Sequence, residues 1–262
     1  LMGLLQGATE FLPVSSSGHL VLVPWLLGWS SPGLAFDSVL HFGTLLAVLV
    51  YMRAEIAVVV VGWWNSVRMR RIDRPEERLG WLIVVSAIPG AVLGFLAEDY
   101  FEALFASPRA VAVLLLVTGA LLVTSERLGR RIRSLHQAGL RDAVWMGLAQ
   151  ALAIAPGISR SGATIAGGLL RGLRRDDAAR FSFLMVIPII AGAAGLQVVK
   201  MIDVGIDAAQ ATNLIIGFTV AFLAGYAAIG FLIGFLRTRT LLPFALYCWG
   251  FGLLSLGITF IR

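Results

Sequence analysis

One stretch of this chain occurs twice, and both copies interrupt an apolar run with proline, serine and glycine. The first runs from Met2-Gly3-Leu4 past Glu10 and Pro13 to Ser15-Ser16-Ser17-Gly18-His19 and ends at Gly28. The second runs from Met146-Gly147-Leu148 past Pro156-Gly157 to Ser159-Arg160-Ser161-Gly162 and ends at Gly172. At one fixed offset and without a gap, Met2, Gly3, Leu4, Gln6, Ser15, Ser17, Gly18, Leu26 and Gly28 recur as Met146, Gly147, Leu148, Gln150, Ser159, Ser161, Gly162, Leu170 and Gly172. The chain is therefore an internal duplication, and its polar breaks come as a pair.

Composition decides the solvent around those breaks. With 58% apolar and only 14% charged residues, the chain falls outside the range of soluble domains. Apolar runs long enough to cross about 30 Å of hydrocarbon predict spans at 36–52, 79–97, 109–125, 181–199, 213–236 and 241–261. The stretch Ile56 to Val67 is too short to span, and its Trp63-Trp64 pair before a basic cluster predicts an interfacial helix. The net charge of +6 does not point to nucleic acid, because the arginines sit in short loops between spans. A single cysteine, Cys248, excludes an internal disulfide.

The arginine-rich loops at 66–78, 126–142, 171–180 and 237–240 are placed in the cytoplasm by the positive-inside rule. The loops at 98–108 and 200–211, poor in basic residues and carrying Glu102, Asp203 and Asp207, fall outside. That alternation holds only if 143–172 enters and leaves on the cytoplasmic side as a re-entrant hairpin. The equivalent segment 1–28 then enters from the outer side. The expectation is an all-α polytopic membrane protein in one integral-membrane domain, 1–262, built of two inverted-topology repeats. Repeat one is 1–125, the linker is 126–142, and repeat two is 143–262, each repeat holding one re-entrant helical hairpin and three transmembrane helices. Non-helical backbone at that depth must line a cavity. The chain opens inside an apolar segment, so an N-terminal portion is expected ahead of Leu1, and no cleavable signal sequence is legible.

Ionisable groups at membrane depth need a partner or a task, and Glu10, His19 and Arg160 all lie in or beside the breaks. Gln6 and Glu10, four apart, share a helix face and together suit a hard cation or a water. Ser15, Ser16, Ser17 and Gly18 form a hydroxyl-rich turn ahead of a helix, which is an anion cradle. Ser159, Arg160, Ser161 and Gly162 repeat it, with Thr164 one turn further and Arg160 in the place of Ser16. Arginine adds a forked, permanently charged donor for phosphate oxygens. Serines and glycines also serve close packing in apolar helices, but here they coincide with the ionisable groups at both copies. Asp37 and His41, four apart near the outer end of a span, read as a structural pair or a rim.

The runs Gly7-Ala8-Thr9-Glu10-Phe11-Leu12-Pro13-Val14-Ser15-Ser16-Ser17-Gly18-His19 and Pro156-Gly157-Ile158-Ser159-Arg160-Ser161-Gly162-Ala163-Thr164 resemble the two signatures of the bacterial undecaprenyl-diphosphate phosphatases of the bacitracin-resistance type. The resemblance implies removal of one phosphate from undecaprenyl diphosphate at the outer side of the bacterial plasma membrane, which recycles the lipid carrier of cell-wall synthesis. It also implies a divalent cation, Mg or Ca, held at Gln6 and Glu10, although the place of Gln6 is often taken by Glu. By the same resemblance Glu10, Ser16, His19 and Arg160 are the catalytic set, with Ser16, His19 or water as the attacking group. Ser15, Ser17, Gly18, Ser159, Ser161, Gly162 and Thr164 then hold the phosphate. The expected partners are the polyprenyl diphosphate substrate and membrane lipids, and a homodimer is allowed without being required. A second reading, a transporter or flippase of phosphate-headed polyprenyl lipids, fits inverted repeats with broken helices. The unequal residues at paired positions, Glu10 against Ile154 and His19 against Ala163, favour the enzyme.

Overall fold

A computed structural model describes residues 1–29, 33–204 and 208–261, apart from the side chains of residues 34–35, 98–99 and 193–209. The described chain is helical: α1 Met2–Phe11, α2 Ser16–Leu27, α3 Leu34–Tyr51, α4 Arg53–Met69, α5 Pro75–Leu96, α6 Glu98–Phe105, α7 Pro108–Leu128, α8 Leu140–Leu152, α9 Arg160–Leu170, α10 Arg175–Val204, α11 Ala208–Leu236 and α12 Leu242–Ile258. Among the described residues three helices are long and apolar enough to cross a membrane, Pro75–Leu96, Pro108–Leu128 and Gln210–Leu236. Phe36–Tyr51 and Arg53–Met69 form a further apolar pair bent by 82°. The runs at 181–199 and 241–261 become α10 and α12. The latter has 17 residues and rises only about 26 Å at 1.5 Å per residue.

The breaks in the duplicated segments are real. Proline lacks the N–H that an inner helical turn needs: α1 ends at Phe11 before Pro13, and α8 ends at Leu152 before Pro156. Each therefore becomes a pair of short helices, α1–α2 and α8–α9. The region 98–108, read from sequence as a loop, instead folds its first eight residues into α6. Asp207 lies outside the described residues, as does the side chain of Asp203.

Small residues let the hairpins press on the long helices of the opposite half. A Cβ at Gly3 would fall 2.5 Å from the Gly217 carbonyl oxygen on α11, and one at Gly147 would fall 2.6 Å from the Ser86 carbonyl oxygen on α5. Gly3 and Gly147 are the duplicated pair, so the same position makes the same backbone-to-backbone approach in both halves.

The four arginine-rich loops meet at one end of the bundle. Arg78 donates to the His136 carbonyl, and Arg133 pairs by backbone with Leu173. Two buried carboxylates lock this end. Glu126 takes both Arg175 donors at 2.8 and 2.7 Å, Arg131 at 2.5 Å and the Leu241 N–H at 2.9 Å. Asp142, 1% exposed, takes Arg133 at 3.1 and 2.7 Å, Arg171 at 2.9 Å and the Gly139 N–H at 2.9 Å. The loop arginines thus form an internal framework beyond any part in orienting the chain.

Burial alone would raise the Asp142 carboxyl, but the hydrogen bonds from Arg133, Gly139 and Arg171 hold it below its ordinary value of 3.8. A lowered folded value makes the contribution full above that pH and lost as pH falls through the lowered value. Asp142→Asn is therefore expected to cost about 2 kcal/mol at pH 7, since it takes the carboxylate charge away from the hydrogen bonds of Arg133 and Arg171. Thermal unfolding in detergent should show that gap at neutral pH and show it closing below the ordinary aspartate range.

Candidate functional site

The first break is held open by its own side chains. Ser15 adopts φ +69°, a left-handed conformation uncommon for a residue with a Cβ. Its hydroxyl accepts the Gly18 N–H at 3.1 Å as the cap of α2, and its carbonyl accepts His19 Nδ1–H at 2.7 Å. The second break follows the same plan: the Ser159 hydroxyl accepts the Gly162 N–H at 3.1 Å and caps α9. Ser15 and Ser17 lie 3.3 Å apart at their hydroxyls, and Ser159 and Ser161 lie 3.2 Å apart. Gly157 takes φ +99°, and a Cβ there would run into the Val111 carbonyl oxygen at 2.3 Å, so only glycine fits.

The two breaks face each other. Ser161 Oγ–H donates to the Leu12 carbonyl at 3.0 Å, a Cβ at Gly162 would meet Pro13 Cβ at 3.4 Å, and one at Gly18 would meet Gly157 Cα at 3.4 Å. Across this contact runs an ion pair: Arg160 Nη2 donates to Glu10 Oε1. Ser16 Oγ–H donates to Glu10 Oε2, and Gln6 Nε2 reaches the same oxygen at 3.1 Å. His41 Nε2 stands 3.8 Å from it. Glu10 is buried at 5% exposure, whereas the Arg160 and His41 side chains keep 18% and 33% exposure. The site is therefore partly exposed at the protein surface on its Arg160 and His41 side.

Two buried atoms here have no partner among the described residues, Arg160 Nη1 and Gln6 Oε1. An unmade hydrogen bond at a buried guanidinium is costly, so Nη1 marks where an incoming anion oxygen belongs. The first N–H groups of α2 and α9 add further donors, because helix starts leave them without an intrahelical acceptor. A hydroxyl, a carboxylate accepting its proton and a cationic donor stand together, a set compatible with transfer of a phosphoryl group. Among the described residues no group of three or more His, Cys, Asp or Glu converges on one point. The unpaired Gln6 Oε1 beside Glu10 does fit a hard cation that takes most of its oxygens from phosphate.

Of the residues singled out in the sequence, Gln6, Glu10, Ser16 and Arg160 meet. Ser15, Ser17, Ser159, Gly18 and Gly162 bond within the two turns, and Ser161 bonds across them to Leu12. Thr164 points elsewhere: it is fully buried and bonds the Arg160 carbonyl at 2.7 Å and Ser182 at 2.6 Å. His19 also faces away, its Nε2 on the Tyr247 hydroxyl at 2.7 Å and its ring stacked on Phe251. His41 was legible as an ionisable residue in a span but not as a neighbour of Glu10. Tyr247 carried no sequence signal at all.

The family described as "Bacitracin resistance protein BacA" matches residues 1–254. A protein named "Undecaprenyl-diphosphatase" from Rubrobacter xylanophilus is 46% identical over 250 residues, covering 94% of this chain and 92% of its own. One of the same name from Pelobacter propionicus is 44% identical, covering 94% and 91%. Another from Thermomicrobium roseum is 41% identical, covering 100% and 98%.

Inorganic phosphate at ten times its dissociation constant is expected to stabilise the folded chain by about 1.4 kcal/mol. Thermal unfolding should show that shift for the unaltered chain and lose it in Arg160→Gln; an equal shift in the variant would remove Arg160 from the anion site.

Proposed function

The chain belongs to the bacitracin resistance protein family, and from that premise we propose how it hydrolyses undecaprenyl diphosphate to undecaprenyl phosphate and phosphate. The observation that carries the mechanism is the Ser16 hydroxyl lying on Glu10 while Glu10 lies on Arg160. Ser16 Oγ attacks the terminal phosphorus, and its proton passes to Glu10. The P–O bond to the inner phosphate breaks, so undecaprenyl phosphate leaves and a phosphoserine remains. Glu10 hands that proton to the departing undecaprenyl phosphate. Water then attacks the phosphoserine phosphorus and gives a proton to Glu10, which passes it to Ser16 Oγ as the P–Oγ bond breaks, freeing Ser16 and phosphate. A carboxylate held by arginine is a weak base, but phosphoryl transfer asks more of positioning and charge neutralisation than of base strength. Arg160 Nη1 and the α2 and α9 N–H groups supply that neutralisation. His19 is the poorer nucleophile, because both of its ring nitrogens are engaged.

Gln6 Oε1 and Glu10 are the protein oxygens suited to a Mg or Ca ion carried on the diphosphate. Such an ion adds positive charge beside the phosphate oxygens. The polyprenyl tail stays in lipid along the apolar faces of the helices.

The two halves read as inverted repeats. Supporting this, α1 packs on α11 as α8 packs on α5, with Gly3 and Gly147 at the two crossings. In a bacterial plasma membrane the arginine-rich end would face the cytoplasm, and the site would open to the outer side. Transport alone is disfavoured by the one-sided chemistry: Glu10 has only Ile154 as its counterpart. Nothing in the reaction requires a second copy of the chain.

Purified protein in detergent should release phosphate from undecaprenyl diphosphate, and chelation of divalent cations should suppress the release. Glu10→Gln is expected to slow it by about 10²–10⁴-fold, and Ser16→Ala by at least as much. Full activity in Ser16→Ala would shift the attack to water; no release from well-folded unaltered protein with either cation would sink the hydrolase reading.

A further inference from the structure

Each break is closed by a polar side chain from the last helix of the opposite half. At the second break that residue is Thr118 on α7, 1% exposed. Its oxygen accepts the Ser159 N–H at 2.9 Å, and it donates to the Gly157 carbonyl at 2.9 Å. Those groups are the backbone ends left open where α8 stops and α9 has not begun. Arg160 follows directly, so Thr118 fixes the root of the residue that reaches Glu10.

At the first break the residue is Tyr247 on α12. A carbonyl only accepts, so His19 Nδ1, 2.7 Å from the Ser15 carbonyl, carries the hydrogen. Nε2 is then the acceptor, and the Tyr247 hydroxyl donates to it at 2.7 Å. The ring is 2% exposed and stacked on Phe251 at 4.9 Å between centroids. The line Tyr247–His19–Ser15 ends on the residue with φ +69°, a backbone state that persists only where its surroundings hold it. Ser16 is the next residue.

The two helices are also joined to each other. Trp249 on α12 donates to the Leu116 carbonyl on α7 at 3.1 Å, and a Cβ at Gly119 would lie 2.5 Å from the Trp249 ring. Thr118 and Tyr247 thus hang from one tight interface.

We propose that Thr118 and Tyr247 are a pair of positioning residues, one on each of two packed helices, that fix where Arg160 and Ser16 meet at Glu10. Neither touches the substrate; each acts through backbone that carries a reacting or binding residue. The inference rests on the phosphatase reading of the site. Thr118→Val keeps the side-chain shape and removes both hydrogen bonds, Tyr247→Phe removes one hydroxyl, and Thr118→Ser keeps the hydroxyl.

The experiment measures kcat and KM for phosphate release by the full chain in detergent, per molecule eluting as a single species, so that lost fold and lost positioning read separately. Thr118→Val and Tyr247→Phe should each lower kcat roughly tenfold or more, as small misplacements of reacting groups do, with KM within about twofold and Thr118→Ser near the unaltered chain. Unchanged kcat per folded molecule in both variants would overturn the proposal, and so would Thr118→Ser losing as much as Thr118→Val. Unaltered protein that releases no phosphate would instead remove the phosphatase reading on which the pair rests.

Discussion

Everything in this structure is arranged around one buried ion pair, Glu10 with Arg160. Each charge alone at that depth would cost several kcal/mol, and neither helix hairpin carries both. The pair exists only while the two breaks touch, so the fold of each half is committed to the position of the other. Removing one partner leaves an uncompensated charge, a loss of about 3–5 kcal/mol where such pairs are fully buried. The same pair pins the carboxylate that meets Ser16 and leaves the second arm of Arg160 buried and unpaired among the described residues.

The scaffold behind the pair is nearly symmetric, and the site is not. Ser15 and Ser159 cap the helices after the two breaks in the same way, and Gly3 and Gly147 make the same close crossing. At the equivalent positions, though, Ser16 faces Arg160, Glu10 faces Ile154 and His19 faces Ala163. A duplicated serine-capped turn has thus been divided, one copy giving the hydroxyl and carboxylate, the other the cation. At the loop end of the bundle, Glu126 and Asp142 perform the complementary task of tying the linker to the second hairpin and to the starts of α10 and α12.

Much of this was legible in the sequence, for physical reasons. Proline inside an apolar run forces a break, and the repeat of that break at one offset showed that two sites must be considered together. Ionisable residues in apolar surroundings flagged Glu10, His19 and Arg160, and Glu10 does meet Arg160. What stayed hidden depends on side-chain direction and long-range contact. His19 lies one turn after the break, and nothing in the sequence tells whether its ring turns to Glu10 or, as found, to Tyr247 on a helix more than two hundred residues later. Thr164 carries a hydroxyl at helical spacing from Arg160, yet α10 covers it. Thr118 is one hydroxyl in an apolar span, a residue type too common there to stand out. The arginine loops gave an orientation signal but no hint of the buried carboxylates they enclose.

The central claim is that Glu10 and Arg160 act as one unit across the two breaks. A double-mutant cycle on phosphate release, with Glu10→Gln, Arg160→Gln and the two combined, tests it most directly. If the account holds, the double variant is no slower than the slower single variant, because either change already dismantles the unit. Losses that multiply in the double variant would mean that the two residues work independently, and the pairing that organises this structure would not organise its chemistry.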